Sequence, residues 1–189
     1  MLIDVSRLVG RFLKGRLPTG VDRVCQAYIE HYGAGARALV RLGGQSVVFN
    51  PRVTARIFHT LQAAPSRSRI QYADRILHGL ATGGFSRVAP GTVLLNPGHS
   101  GLENESYYRL IRARKLAPVF LVHDLIPMTH PEFCRPGEDE KHLARMRWVL
   151  EMGQAVITNS QATLDALSAF AERSGVPVPR SAVALLGPG

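Results

Sequence analysis

The sequence of 189 residues predicts an α/β fold, a mainly parallel sheet with helices on both faces. Three observations carry that expectation. Strand-like and helix-like patterns alternate almost from end to end. Several of the strand patterns are continuous apolar runs, as parallel strands buried on both faces are. The loops after those runs hold Gly, Pro, His, Asp and Ser, and in such sheets ligands sit at the carboxyl ends of the strands.

Residues 2–5 are β-forming and apolar around Asp4, which makes them the opening strand. Residues 11–19 are basic and contain Gly15 and Pro18, so they read as a loop. From Gly20 the apolar residues Val21, Val24, Cys25, Tyr28, Ile29 and Tyr32 fall on one stripe of a helix. Thr19 is its expected N-cap, Asp22 suits the dipole of its first turn, and Gly33 and Gly35 end it. Residues 38–42 and 46–49 read as two strands around a Gly43–Gly44 turn. Helices are expected over 53–61 and 67–80, then a loop over 82–90. A strand over 92–95 runs into Asn96-Pro97-Gly98-His99, and a basic helix follows over 102–116. The most apolar strand, 118–122, ends in His123-Asp124 and a proline-punctuated loop as far as Pro136. A helix over 138–152 and a strand over 155–158 come next. Ser160 then caps a helix over 163–173, and 182–186 is the last strand.

The composition narrows the function classes. Hydrophobic residues make up 46% of the chain and charged ones 20%, enough apolar content for a real core and against disorder. No apolar run reaches the roughly 20 residues of a membrane span, and Asp4 interrupts the start, so no secretory signal is expected. Cys25 and Cys134 lack metal-ligand spacing and read as free thiols in a reducing compartment, a lone disulfide being the alternative. The net charge of +9 is uneven: residues 1–115 carry 17 basic and 6 acidic groups, residues 116–189 carry 6 and 8. Nucleic acid, an anionic membrane surface and an arginine-rich background all fit that excess. The cations are interspersed with apolar residues, and neither RNP-like aromatics nor a zinc-finger pattern accompanies them, which argues against nucleic acid.

Several loop residues can do chemistry. Gly20 at a helix start lets a phosphate approach backbone N–H groups, and Arg23 one turn on can pair with it. A turn glycine and a solvated arginine explain the same residues, and neither a Walker loop nor a G-x-G-x-x-G fingerprint occurs. His123 after a buried strand can work as acid, base or donor to a bound hydroxyl, with Asp124 holding its tautomer or nearby loop amides; a polar strand terminus is the plainer reading. His99 either lines the same cleft or only follows a Pro-Gly turn. Ser160 either touches a ligand or only caps a helix. His123, Asp124 and His130 match no standard metal-ligand set, and without a G-x-S-x-G elbow no Ser-His-Asp triad is supported. Cys25 lies on the apolar stripe of its helix and is assigned to the core.

Three blocks in order carry a resemblance. They are Asp4-Val5-Ser6-Arg7 with Thr19-Gly20-Val21-Asp22-Arg23-Val24, then Val122-His123-Asp124-Leu125-Ile126-Pro127 with Pro131-Glu132, and Val156-Ile157-Thr158-Asn159-Ser160-Gln161-Ala162-Thr163. In these the chain resembles the N-terminal domain of GT-B glycosyltransferases of family 4, the group-1 glycosyl transferases of bacterial polysaccharide assembly. The resemblance implies a Rossmann-like acceptor-side domain over residues 1–186, one half of a GT-B fold, with 187–189 starting an interdomain linker and the C-terminal donor domain absent. It implies retaining transfer of a sugar from a nucleotide-sugar to a lipid-linked saccharide, by a cytoplasmic protein peripheral to the inner membrane face. It places Gly20 and Arg23 near the donor diphosphate and His123 against the donor sugar, with Asp124 positioning and His99 and Ser160 as cleft contacts. No cofactor and no metal are expected, and anionic lipid is an expected partner. Without a donor domain the chain is expected to bind acceptor or membrane weakly and to catalyse nothing measurable. The alternatives are a stand-alone Rossmann-like module that binds a nucleotide or phosphorylated ligand without catalysis, and a basic protein associated with nucleic acid.

Overall fold

A computed structural model describes residues 1–42, 45–63, 87–99 and 101–187. The expected Gly43–Gly44 turn, the helix expected over 67–80 and most of the loop expected over 82–90 lie outside the described residues. The chain is α/β, with mostly parallel strands flanked by helices, and it divides into two compact units. The first comprises Met1–Gly98 and Arg114–Leu116, the second His99–Ala113 and Ala117–Gly189.

In the first unit β1 (Leu2–Asp4) lies between β2 (Arg37–Leu42) and β4 (Val93–Asn96) and is parallel to both, with Ile3 opposite Ala38 and Leu95. β3 (Gln45–Val48) runs antiparallel on the outer side of β2, pairing Val47 with Val40. The connection from β1 to β2 contains two helices where the sequence predicts one. α1 (Ser6–Leu13) covers a stretch expected in part to be loop. Leu8 and Val9 pull it into the core, and the Asp4 carboxylate accepts the Ser6 N–H at 2.9 Å in its first turn. Gly15, in the left-handed region at φ 64°, ends it. α2 (Gly20–Tyr32) buries Cys25 and Ile29, and α3 (Pro51–Gln62) buries Ile57, Phe58 and Leu61. Asn50 caps α3 by accepting the Val53 N–H at 3.0 Å. These residues join Ile3, Val5, Ala38, Val40 and Phe49 in one core. Each fully buried large side chain in it contributes about 1.5–3 kcal/mol.

In the second unit β5 (Ala117–Val122), β6 (Ala155–Thr158) and β7 (Arg180–Val183) are parallel, with Phe120 opposite Val156 and Val156 opposite Ser181. α4 (Glu105–Ala113) starts three residues later than the sequence suggests, because the Asn104 side chain accepts the Ser106 N–H and holds the chain in a turn. α5 (Ile126–Thr129) is one helical turn inside the expected loop, and α6 (Glu138–Met152) and α7 (Gln161–Ser174) complete the two crossovers. Tyr107, Tyr108, Ile111, Phe120, Met146, Val149 and Leu167 are buried, and Trp148 stacks on Tyr108 with ring centroids 4.1 Å apart. A Cβ at Gly153 would stand 2.6 Å from the Val149 carbonyl oxygen, so no larger residue fits between α6 and β6. β7 lies two residues earlier than expected, and its four residues are all exposed. Its ladder to β6 ends where the Ala184 N–H donates to Thr158, so the expected continuation to residue 186 does not form. Among the described residues no helix is long and apolar enough to cross a membrane.

Candidate functional site

The carboxyl ends of the strands carry polar groups in both units, and the two units hold them differently. In the first, Asp4 is buried at the end of β1. Its carboxylate accepts from Ser6, from Asn96 Nδ2 at 3.2 Å, and lies 3.1 Å from Arg41 Nε. Asn96 Oδ1 in turn accepts the Gly98 N–H at 3.1 Å and shapes the turn after β4. A Cβ at Gly98 would crowd Arg7, standing 3.2 Å from its Cδ, and would touch Cys25 Sγ at 3.5 Å.

Asp22 is the second buried acid, only 1% exposed. It accepts the Thr19 N–H and hydroxyl, both at 2.7 Å, and pairs with Arg7 Nε at 2.8 Å and Arg11 Nε at 2.7 Å. Burial pushes its carboxyl up, but the Thr19 donors and Arg7 outweigh burial and hold it below the ordinary value. Thr19 and Asp22 thus form a capping box, and Arg7 also reaches Thr19 Oγ1 at 3.3 Å. Gly20 is the first residue of α2, exposed, with nothing within 4 Å of where a Cβ would stand. Arg23 is exposed one turn on. Asp22 also lines a cavity of about 220 Å³, together with Leu8, Phe12 and Leu61 and with Arg11 and Arg16. Cys25 is core, and burial, helped by the charge of Asp22, pushes its thiol up to about 12.

In the second unit His123 follows β5 and is 7% exposed. Side chains hold its backbone at both ends. The His123 N–H donates to His99 Nε2 at 3.0 Å, and the His123 carbonyl accepts from Thr163 Oγ1 at 3.2 Å. The next carbonyl, that of Asp124, accepts from His142 Nε2 at 3.0 Å. Asp124 Oδ1 takes the Ile126 N–H at 3.1 Å and starts α5, so its carboxylate serves a loop amide. The His99 ring lies edge-on to His123 and His142, with centroids 5.0 and 5.8 Å away. Burial, then the neighbouring His123, His142 and Arg145, hold the His99 pKa well below its ordinary value. Burial also lowers His142, against the opposing pull of Asp124. Ser160 caps α7 by accepting the Thr163 N–H at 3.1 Å, and its hydroxyl lies 2.9 Å from that of Thr163.

Of the residues singled out in the sequence, His99, His123, Asp124 and Ser160 therefore fall in one unit, around one backbone segment. Gly20 and Arg23 belong to the other. Reading the sequence missed Thr163 and His142 in the second unit, and Arg7, Arg41, Asp4 and Asn96 in the first. Thr163, Asp4 and Arg7 carried a signal, as members of the third and first blocks; His142, Arg41 and Asn96 become visible only through partners at least 18 residues away. Compared with family models, with curated proteins and with solved structures, the chain matches none.

Proposed function

We propose that this chain is the acceptor-side, N-terminal part of a retaining glycosyltransferase of the GT-B type, moving a sugar from a nucleotide-sugar to a lipid-linked saccharide. The observation that carries the reading is the convergence of two of the three resemblance blocks on one residue. Thr163, the last residue of the third block, donates to the carbonyl of His123 in the second, 40 positions away. The two halves of the first block are bonded as well, through Arg7 to Asp22 and Thr19. Bonds between blocks support a resemblance better than their order along the chain does.

In this reading His123 hydrogen-bonds a hydroxyl of the donor sugar. The acceptor oxygen forms a bond to the anomeric carbon, the bond from that carbon to the diphosphate breaks, and the acceptor proton leaves with the diphosphate. The basic excess of residues 1–115 suits an anionic bilayer or a pyrophosphate-linked acceptor, at roughly 1 kcal/mol per basic residue close to such a surface. Peripheral attachment at the inner membrane face belongs to the same proposal.

The test is a screen of radiolabelled nucleotide-sugars with a lipid-linked saccharide, using the polypeptide as its gene encodes it. We expect one donor to be consumed with retention of anomeric configuration. His123→Ala should lower turnover at least about 100-fold, with protection of the amide at position 123 checked to show that the fold persists. Nucleotide binding without transfer by the parent would replace this reading with that of a binding module. Equal turnover by parent and His123→Ala would remove His123 from the mechanism.

A further inference from the structure

His99 has a left-handed backbone, φ 56°, a conformation that side chains disfavour. The ring holds the end of β5, where Nε2 accepts the His123 N–H at 3.0 Å. With Nε2 as acceptor, the proton of the neutral ring sits on Nδ1. In a parallel ladder, the carbonyl of the residue opposite Val122 would accept from the N–H of 123. Nε2 does what that carbonyl would do.

We propose that His99 is a positioning residue: its neutral imidazole takes the place of a strand neighbour beyond the end of β5, and so fixes the backbone from which the His123 side chain projects. The catalytic part of this inference rests on the function proposed above; the tautomer and the clamp do not. Only the neutral Nδ1–H form leaves Nε2 able to accept: the imidazolium has no acceptor, and the Nε2–H tautomer sets donor against donor. Burial and the neighbouring groups keep the ring neutral. His123, His142 and the Arg145 guanidinium face His99 and disfavour a positive charge on it. The acids of this cluster, Asp124 and Glu138, act on His142.

The experiment uses the polypeptide as its gene encodes it, with ¹⁵N-labelled histidine. Long-range ¹H–¹⁵N correlation at pH 7 should show His99 protonated on Nδ1 and titrating well below 6.5, with slow amide exchange at His123. In His99→Gln, whose amide offers one donor and one acceptor, the His123 amide should stay protected and kcat should remain within about threefold of the parent. In His99→Ala that amide should exchange fast. Turnover should fall on the order of 100-fold with KM for the donor little changed, as a displacement of about 1 Å at a reacting group predicts. Protonation on Nε2, an ordinary titration near 6.5, or a His99→Gln variant that folds but does no better than His99→Ala would each overturn the proposal. If His99→Ala does not fold, the tautomer and His99→Gln decide. If the parent transfers no sugar, the function proposed above fails, while the tautomer and the His123 amide still test the clamp.

Discussion

The two units meet one problem, polar groups buried at the ends of strands, with opposite chemistry. The first uses formal charge: Asp4 faces Arg41, and Asp22 faces Arg7 and Arg11. The second uses neutral side chains, the imidazoles of His99 and His142 and the hydroxyl of Thr163, each bonded to backbone. The difference is one of robustness. A buried ion pair tolerates acid until its carboxylate protonates, whereas a neutral imidazole that must accept a bond stops doing so when it gains a proton. The unit that carries the candidate reacting residue is therefore the more sensitive to pH.

The largest expected effect is on the charged side. Asp22→Ala leaves two arginines facing each other without their acid, and should destabilise the chain by about 3 kcal/mol in urea unfolding at pH 7. A loss below about 1 kcal/mol would show that the arginines relax into solvent and that charge does not hold the first unit together.

The pH response comes next, and its sign follows from proton counting. His99 and His142 both have folded pKa values lowered from 6.5, so below pH 6.5 the unfolded chain binds more protons than the folded one. Stability is then complete above pH 6.5 and falls as the pH falls, by up to about 1.4 kcal/mol per pH unit for each histidine. Asp22 is lowered from 3.8, so its contribution is present above 3.8 and is lost only as the pH falls through its still lower folded value. Hydrogen exchange between pH 7 and pH 5 should accordingly show the amides of Phe120–Val122 losing protection before those of Ala38–Val40. The reverse order would break the contrast between the units.

The smallest effect sharpens it. Thr163→Val keeps the shape but removes the donor to the His123 carbonyl, and should cost about 1 kcal/mol and quicken exchange at His123. No change in either would mean that His99 alone holds that segment.

The layout of the fold was legible where burial writes a pattern. The apolar run of β5 and the helical stripe of α2 could be read because their own residues carry the signal. α1 was not, since Gly10 and the basic residues after it hide a stripe of only Leu8, Val9 and Phe12. The site was partly legible. His123 stands out because a histidine directly after a buried strand is conspicuous. What surrounds it is not, because the choice of tautomer at His99 and the distant partners of His123, Asp4 and Asp22 depend on chain segments brought together only by folding. Asp22 illustrates the limit. Its place in a capping box was within reach, but nothing local in sequence says that two arginines from the preceding helix close over it.

Cys25 has a practical consequence. With its thiol buried and raised to about 12, Cys25 stays protonated at pH 8, while Cys134 is only half-buried. A maleimide or iodoacetamide label thus enters the native chain at Cys134, in the second unit, and reaches Cys25 only when the first unit opens. The ratio of doubly to singly alkylated chains, read by mass spectrometry, becomes a clock for the opening of the first unit.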